Sequence, residues 1–243
     1  MDHNPDQIDI IHHLVDAPTR LGFGITKHVL MLWIAALIVF VLLTIACRQK
    51  GDVPRGLRNL MEPLLLFIRD QVALPNMGEA GRRYTPFLWT VFLFILTCNL
   101  LGLVPGGATA TANLSVTAAL AIISFLVTQY AGLRQNGTHY ITGLVPPVPW
   151  WLWPLMLVVE LIGLVSKPFA LAIRLWANMN AGHIVLLVIL GFIFTFKNWP
   201  VVGISVLGSV AIMMLELFVA LLQAYVFTFL TAVFMGIALH PEH

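Results

Sequence analysis

From Leu155 to Phe196, and again from Val201 to Leu239, the chain is apolar for about 40 residues at a stretch, broken only by TFKNWP between them. As helices, each stretch would measure roughly 60 Å at ~1.5 Å per residue, about twice the ~30 Å hydrocarbon thickness of a bilayer. Neither can stand upright in a membrane. Splitting each into two spans would need a polar, Gly/Pro-rich reversal at membrane depth, where unpaired backbone groups are costly, and the interiors lack one. The pattern predicts a C-terminal hairpin of two long, steeply tilted antiparallel helices, 155–196 and 201–239, turning at Lys197 and Asn198. Pro168 introduces a kink at most, and Pro200 falls in a first turn where its missing N–H costs little.

The remainder reads as membrane too. Hydrophobic residues make up 59% of the 243 and charged ones 10%, with a mean hydropathy of +0.91, whereas an ordinary soluble domain has about a quarter of its residues charged. Residues 28–47 are long enough for one span. Over 57–74, Leu57, Leu60, Met61, Leu64, Leu65, Ile68 and Val72 recur at helical spacing against Arg58, Glu62, Arg69 and Asp70, which predicts an interfacial amphipathic helix. A hairpin of spans two and three is expected over 85–133, reversing at VPGG. The fold class is an all-α integral membrane protein forming one membrane domain, with 1–27 as an N-terminal outer segment.

Seven Lys and Arg residues lie between spans one and two (Arg48, Lys50, Arg55, Arg58, Arg69, Arg82, Arg83) and none in the loop 105–111. The positive-inside rule then puts 48–83 in the cytoplasm or matrix, the N-terminus outside and the C-terminus inside. Trp150, Trp151, Trp153 and Trp199 suit interface anchors. The acidic N-terminus lacks the basic region and short apolar core of a cleavable signal, and reads as part of the mature protein. The net charge of +2 is dispersed, which does not support nucleic-acid binding. Cys47 and Cys98 lie far from any metal spacing and read as small apolar fillers; no HExxH, GxSxG or phosphate loop is present, so neither cofactor nor metal is expected.

Inside the apolar hairpin a few polar residues recur in register. Glu160, Lys167 and Arg174 are seven apart and share a helix face with about 20° of drift per step. Asn178 lies one turn beyond Arg174, and on the last helix Glu216 and Gln223 are again seven apart. An antiparallel register that sets Arg174 level with Gln223 also sets His183 level with Glu216, although His183 points about 180° from Arg174 on an ideal helix. Intramembrane ionisable groups are costly enough to mark a pathway or site. Arg cannot shed its proton, whereas His and Glu can be tuned to load and unload one near neutral pH. Arg174 therefore reads as a fixed electrostatic element, with His183 and Glu216 as an exchanging pair on its outer side and Glu160 on its inner side.

Plainer roles stand beside these. Arg174 would also suit a structural ion pair with Glu216 or Glu160, and His183 a hydrogen-bonded packing residue. Lys167 would snorkel toward the inner interface. Asn99 and Asn113, on the outer side of the hairpin of spans two and three, suit helix pairing as well as channel lining, and Ser166 is a further lining candidate.

SKPFALAIRLWANMNAG at 166–182 and ELFVALLQAYVFTFL at 216–230 resemble the signature segments of subunit a of the rotary F-type ATP synthase. HHL at His12–Leu14, PFLWTVFLFILTCNLLGLVP and NLSVT follow the same family, so the resemblance covers nearly the whole chain. It implies that Arg174 faces a ring of c subunits, with Asn178 and Gln223 beside it. Protons would enter one aqueous half-channel through His183 and Glu216 and leave by another near Glu160. The implied partners are the c-ring, the b-subunit peripheral stalk, the rest of the F1Fo complex and the bilayer; the implied compartment is a bacterial inner membrane, with a mitochondrial-type membrane left open. Compared with many bacterial members, the Glu and His types at 183 and 216 are exchanged, and Trp176-Ala177 replaces the usual Phe-Gly. H+ is favoured over Na+, since no oxygen cage is evident.

Other classes fit less well. A secondary transporter would show repeated, broken spans at midplane; an intramembrane protease would need a Ser/His, paired Asp or HExxH set; a plain anchor leaves Arg174, His183 and Glu216 without a role.

Overall fold

A computed structural model of the chain describes residues 27–48, 56–104, 109–137, 140, 149, 151–196 and 199–240. The N-terminal segment with its HHL motif, the VPGG turn, Trp150 and the Lys197–Asn198 junction lie outside the described residues. Five helices are long and apolar enough to cross a membrane. They are α1 (Lys27–Arg48), α4 (Thr85–Gly102), α5 (Leu114–Asn136), α6 (Trp153–Phe196) and α7 (Trp199–Leu239). Between α1 and α4 run α2 (Leu57–Phe67), a π-helical turn Ile68–Ala73, the short α3 (Leu74–Met77) and a 3-10 turn Gly78–Arg83.

At 44 residues α6 measures about 66 Å, so fitting it within ~30 Å of hydrocarbon requires a tilt of about 60° from the membrane normal. Pro168 lies inside α6 without ending it. α6 and α7 run antiparallel: Ile189 faces Gly208, His183 faces Glu216, Asn178 faces Gln223, and Lys167 faces Phe234.

α4 is the central helix. Leu88, Phe92 and Ile95 are buried, and the core they share with Ile68, Val72, Met77, Leu175, Phe227 and Met235 joins the interfacial segment to the hairpin; Cys98 and Asn99 are buried toward the C-terminal end of α4. α1 is peripheral: Trp33 and Phe40 are 72% and 68% exposed, as lipid-facing side chains would be. Ala35 of α1 packs with Cys98 and Ala110 in a small separate cluster at one end of α4.

The amphipathic segment expected at 57–74 is an α-helix only to Phe67. Beyond it the backbone widens into the π-helical turn before Pro75, whose missing N–H cannot continue an i to i−4 ladder. Asn76 Nδ2 donates to Val72 O (2.7 Å), satisfying a carbonyl in that turn.

The C-terminal end of α7 is clamped from two sides. Asn136 at the end of α5 donates to Ala238 O (3.0 Å) and Leu239 O (3.3 Å), which would otherwise be orphan helix carbonyls. Gly236 lies against the Asn76 carbonyl so closely that an added Cβ would overlap it. Gly236→Ala is therefore expected to cost about 1–3 kcal/mol through forced backbone displacement. Thermal unfolding of the purified protein in detergent should show a lower midpoint; an unchanged midpoint would show that this contact yields freely.

Candidate functional site

Glu216 projects from α7 into the interface with α6, its side chain 5% exposed, and His183 Nδ1 lies 2.8 Å from its Oε1. Room for the carboxylate comes from the residue before the histidine. A Cβ at Gly182 would stand 2.7 Å from Oε1 and 3.1 Å from Cδ, so only glycine leaves the carboxylate beside the ring. Oε1 makes no aligned hydrogen bond among the described residues, so the two groups meet as an ion-pair contact off the ring N–H direction. A small rotation of the imidazole would align them.

On its other side His183 Nε2 lies 2.6 Å from Thr109 Oγ1. Thr109 comes from the segment entering α5, and its carbonyl is 3.1 Å from His28 Nδ1 of α1. The same segment is tied down twice more. Thr111 donates to Asn99 Oδ1 (2.8 Å), whose Nδ2 donates to Ala220 O of α7 (3.2 Å), and Asn180 of α6 donates to Ala112 O (3.0 Å). A non-periodic loop thus carries residues that spacing arguments could not find. The residues 109–112 show no helical or strand pattern in sequence, and only contact with α1, α4 and α6 reveals them.

Arg174 sits differently. Its side chain is exposed, and among the described residues its guanidinium has no hydrogen-bond or ion-pair partner. Glu216 is engaged with His183 instead, so neither version of the structural ion pair is formed. Gln223, fully buried on α7, accepts a hydrogen bond from Asn178 Nδ2 (2.8 Å). The expected register holds where His183 meets Glu216, but the side chain that reaches Gln223 is the short Asn178 amide, one turn of α6 beyond Arg174, while Arg174 itself is exposed.

Toward the opposite end of the hairpin, α5, α6, α7 and the segment around Asn76 enclose a cavity of about 710 Å³ whose walls include Glu160, Lys167, Gln129, Tyr140 and His240. Polar atoms and that volume suit several water molecules. The Lys167 ammonium lies 5.6 Å from the centre of the Phe234 ring, so it is held over an aromatic face rather than extended to an interface. Tyr140 donates to Gln129 Oε1 (2.8 Å). Burial pushes its phenol above the ordinary value, against that hydrogen bond and with help from the negative charge of Glu160; it stays a donor throughout the physiological range. Ser166 does not line this cavity, since its hydroxyl is exposed and returns to Gly163 O of its own helix (2.8 Å). Asn113 caps α5 by accepting from Ser115 N (2.8 Å).

Residues 29–236 match the family model described as ATP synthase A chain. A curated relative from Chloroherpeton thalassium named ATP synthase subunit a is 45% identical over 99% of this chain and 80% of its own length. Another from Myxococcus xanthus, of the same name, is 51% identical over 92% of this chain and 75% of its own. A third, ATP synthase subunit a 2 of Chlorobium luteolum, is 47% identical over 95% and 70%. This chain belongs to the ATP synthase subunit a family. It is accordingly a multi-pass helical membrane protein and part of an ATP synthase.

Within this subunit a, the ionisable groups are distributed along α6 in a definite order. Counting from Arg174, His183 is nine residues toward one end and Glu160 fourteen toward the other, or about 14 Å and 21 Å at ~1.5 Å per residue. The His183–Glu216 pair and the Glu160 cavity therefore lie on opposite sides of the arginine.

Proposed function

We propose that this chain is the proton-conducting stator of the Fo sector, with Arg174 separating two offset half-channels against a ring of c subunits. The observation that carries the reading is the arrangement of Arg174: a permanent cation with no partner among the described residues, flanked on one side by the His183–Glu216 pair, whose carboxylate is buried, and on the other by a cavity lined by Glu160. Ala170, Arg174, Asn178 and Ala181 are exposed in helical succession, and small residues around a cation let another helix approach closely. The partner that such a surface fits carries a carboxylate at membrane depth.

Each half of the path has its own chemistry. A proton entering from outside passes through the His183–Glu216 pair and neutralises a ring carboxylate, which can then face lipid. After rotation the carboxylate gives its proton to the water-filled cavity near Glu160. Arg174 holds the deprotonated carboxylate and, being unable to release a proton itself, separates the two sides. Every 100 mV supplies about 2.3 kcal/mol per proton to drive the cycle. Asn178 and Gln223 fix the hairpin beside the arginine, and Lys167 contributes positive charge to the inner cavity. The b-subunit peripheral stalk would hold this stator against the turning ring. The basic stretch between α1 and α4 supports an orientation with the N-terminus outside and the C-terminus inside, in what this reading takes as a bacterial inner membrane.

The half-channels have opposite sidedness, and cysteine labelling tests this directly. In a background with Cys47 and Cys98 replaced by Ser, Ser124→Cys in the inner cavity is expected to react with a charged thiol reagent added from the cytoplasmic side alone. Asn180→Cys is expected to react only from the outer side. Labelling of both positions from one side would overturn the two-channel reading.

A further inference from the structure

His28 stands out on α1. It is 9% exposed on a helix whose Trp33 and Phe40 are open to lipid, and it lies at the end where Met31, Leu32 and Ala35 pack against Cys98 and Ala110. A carbonyl oxygen can only accept, so the 3.1 Å contact with Thr109 O requires a proton on His28 Nδ1. Thr109 is 2% exposed and is gripped from a second side by Gly102, where any Cβ would overlap its side chain. Its hydroxyl is then left at 2.6 Å from His183 Nε2, opposite the nitrogen that faces Glu216.

A threonine hydroxyl both donates and accepts. It can donate to Nε2 when the imidazole is neutral there and accept from Nε2–H when the ring is charged, so His183 keeps one partner through loading and unloading. That service depends on where Thr109 is held. We propose that His28 is a positioning residue for proton exchange at His183, acting through the backbone of Thr109. The proposal rests on the proton path above and extends it to α1, a helix that is otherwise peripheral.

The test uses the intact ATP synthase reconstituted in vesicles, with ATP-driven proton pumping measured across outer pH and assembly checked by ATP hydrolysis. Misplacing a reacting group by ~1 Å can cost on the order of a hundredfold, so His28→Leu is expected to slow pumping roughly tenfold or more and to displace its pH profile. Asn places an amide N–H where Nδ1 stands, whereas the longer Gln does not, so His28→Asn should stay close to the wild-type rate and His28→Gln should not. Because both residues act on one ring, His28→Leu combined with Thr109→Val should be no slower than Thr109→Val alone.

Wild-type pumping and pH profile in His28→Leu would overturn the proposal, as would losses that multiply in the double variant. Should the Leu variant fail to assemble, the Asn and Gln pair decides: equal rates in the two would sink the idea. Glu216→Gln run in parallel separates the two readings. If it pumps normally, the proton path itself falls and this proposal with it; if it is inactive while His28→Leu is normal, only the role of His28 is lost.

Discussion

Arg174→Ala is expected to abolish ATP-driven proton pumping while leaving an assembled complex that hydrolyses ATP. Passive proton flux at an imposed potential should rise. A guanidinium and a ring carboxylate about 4 Å apart attract by ~4 kcal/mol at the effective dielectric of ~20 that describes such sites. That is about three pKa units, enough to keep the carboxylate ionised while it faces the arginine. Removing the charge allows the carboxylate to stay protonated as it passes from one half-channel to the other, which short-circuits the rotor. Arg174→Lys should suppress the leak better than Ala yet pump far below wild type, because an ammonium lacks the planar fork and can itself release a proton when desolvated. Normal pumping by the Ala variant would remove the stator reading, since the exposed guanidinium, unpaired among the described residues, would then have no function.

Loss of the carboxylate at 216 should be nearly as severe. Proton transfer by a positioned side chain is worth about 10²–10⁴-fold, so Glu216→Gln is expected to cut proton flux by two decades or more. The same defect should appear without altering any titratable group. Gly182→Ala places a methyl 2.7 Å from Oε1 and 3.1 Å from Cδ, so the carboxylate must shift, and its contact with His183 is expected to loosen. Pumping by Gly182→Ala should therefore fall well below wild type, and a second-site change that restores room beside the ring should recover it. Exchanging the pair, with His183→Glu and Glu216→His in one chain, keeps one acid and one imidazole in contact and should pump better than either single variant. Flux in the doubly changed protein below that of both singles would show that position as well as type matters at each site.

Much of this molecule was legible from spacing. Two apolar runs longer than a bilayer is thick leave almost no alternative to a tilted hairpin, and repeats of seven place Glu160, Lys167 and Arg174 on one face because an α-helix returns to nearly the same direction every two turns. An antiparallel register then puts His183 near Glu216 by arithmetic alone. The limits of that arithmetic are equally physical. It could not say that Asn178 rather than Arg174 meets Gln223, because a side chain's reach and direction decide contacts at the scale of one turn. Nor could it say that Lys167 lies over Phe234 instead of extending to the interface, or that Ser166 returns its hydroxyl to its own backbone.

Sequence by itself determined the fold class, the long hairpin and the chemical types of the candidate site residues, since these follow from hydropathy and helical period, which are local. Tertiary structure alone decided which partners those residues have. Thr109, Asn180 and His28 come from three elements with no common period, and Gly182 matters only because Glu216 of another helix occupies the space beside it. Contacts between distant segments depend on how helices cross and where a loop is pinned, and no periodicity in the chain encodes that.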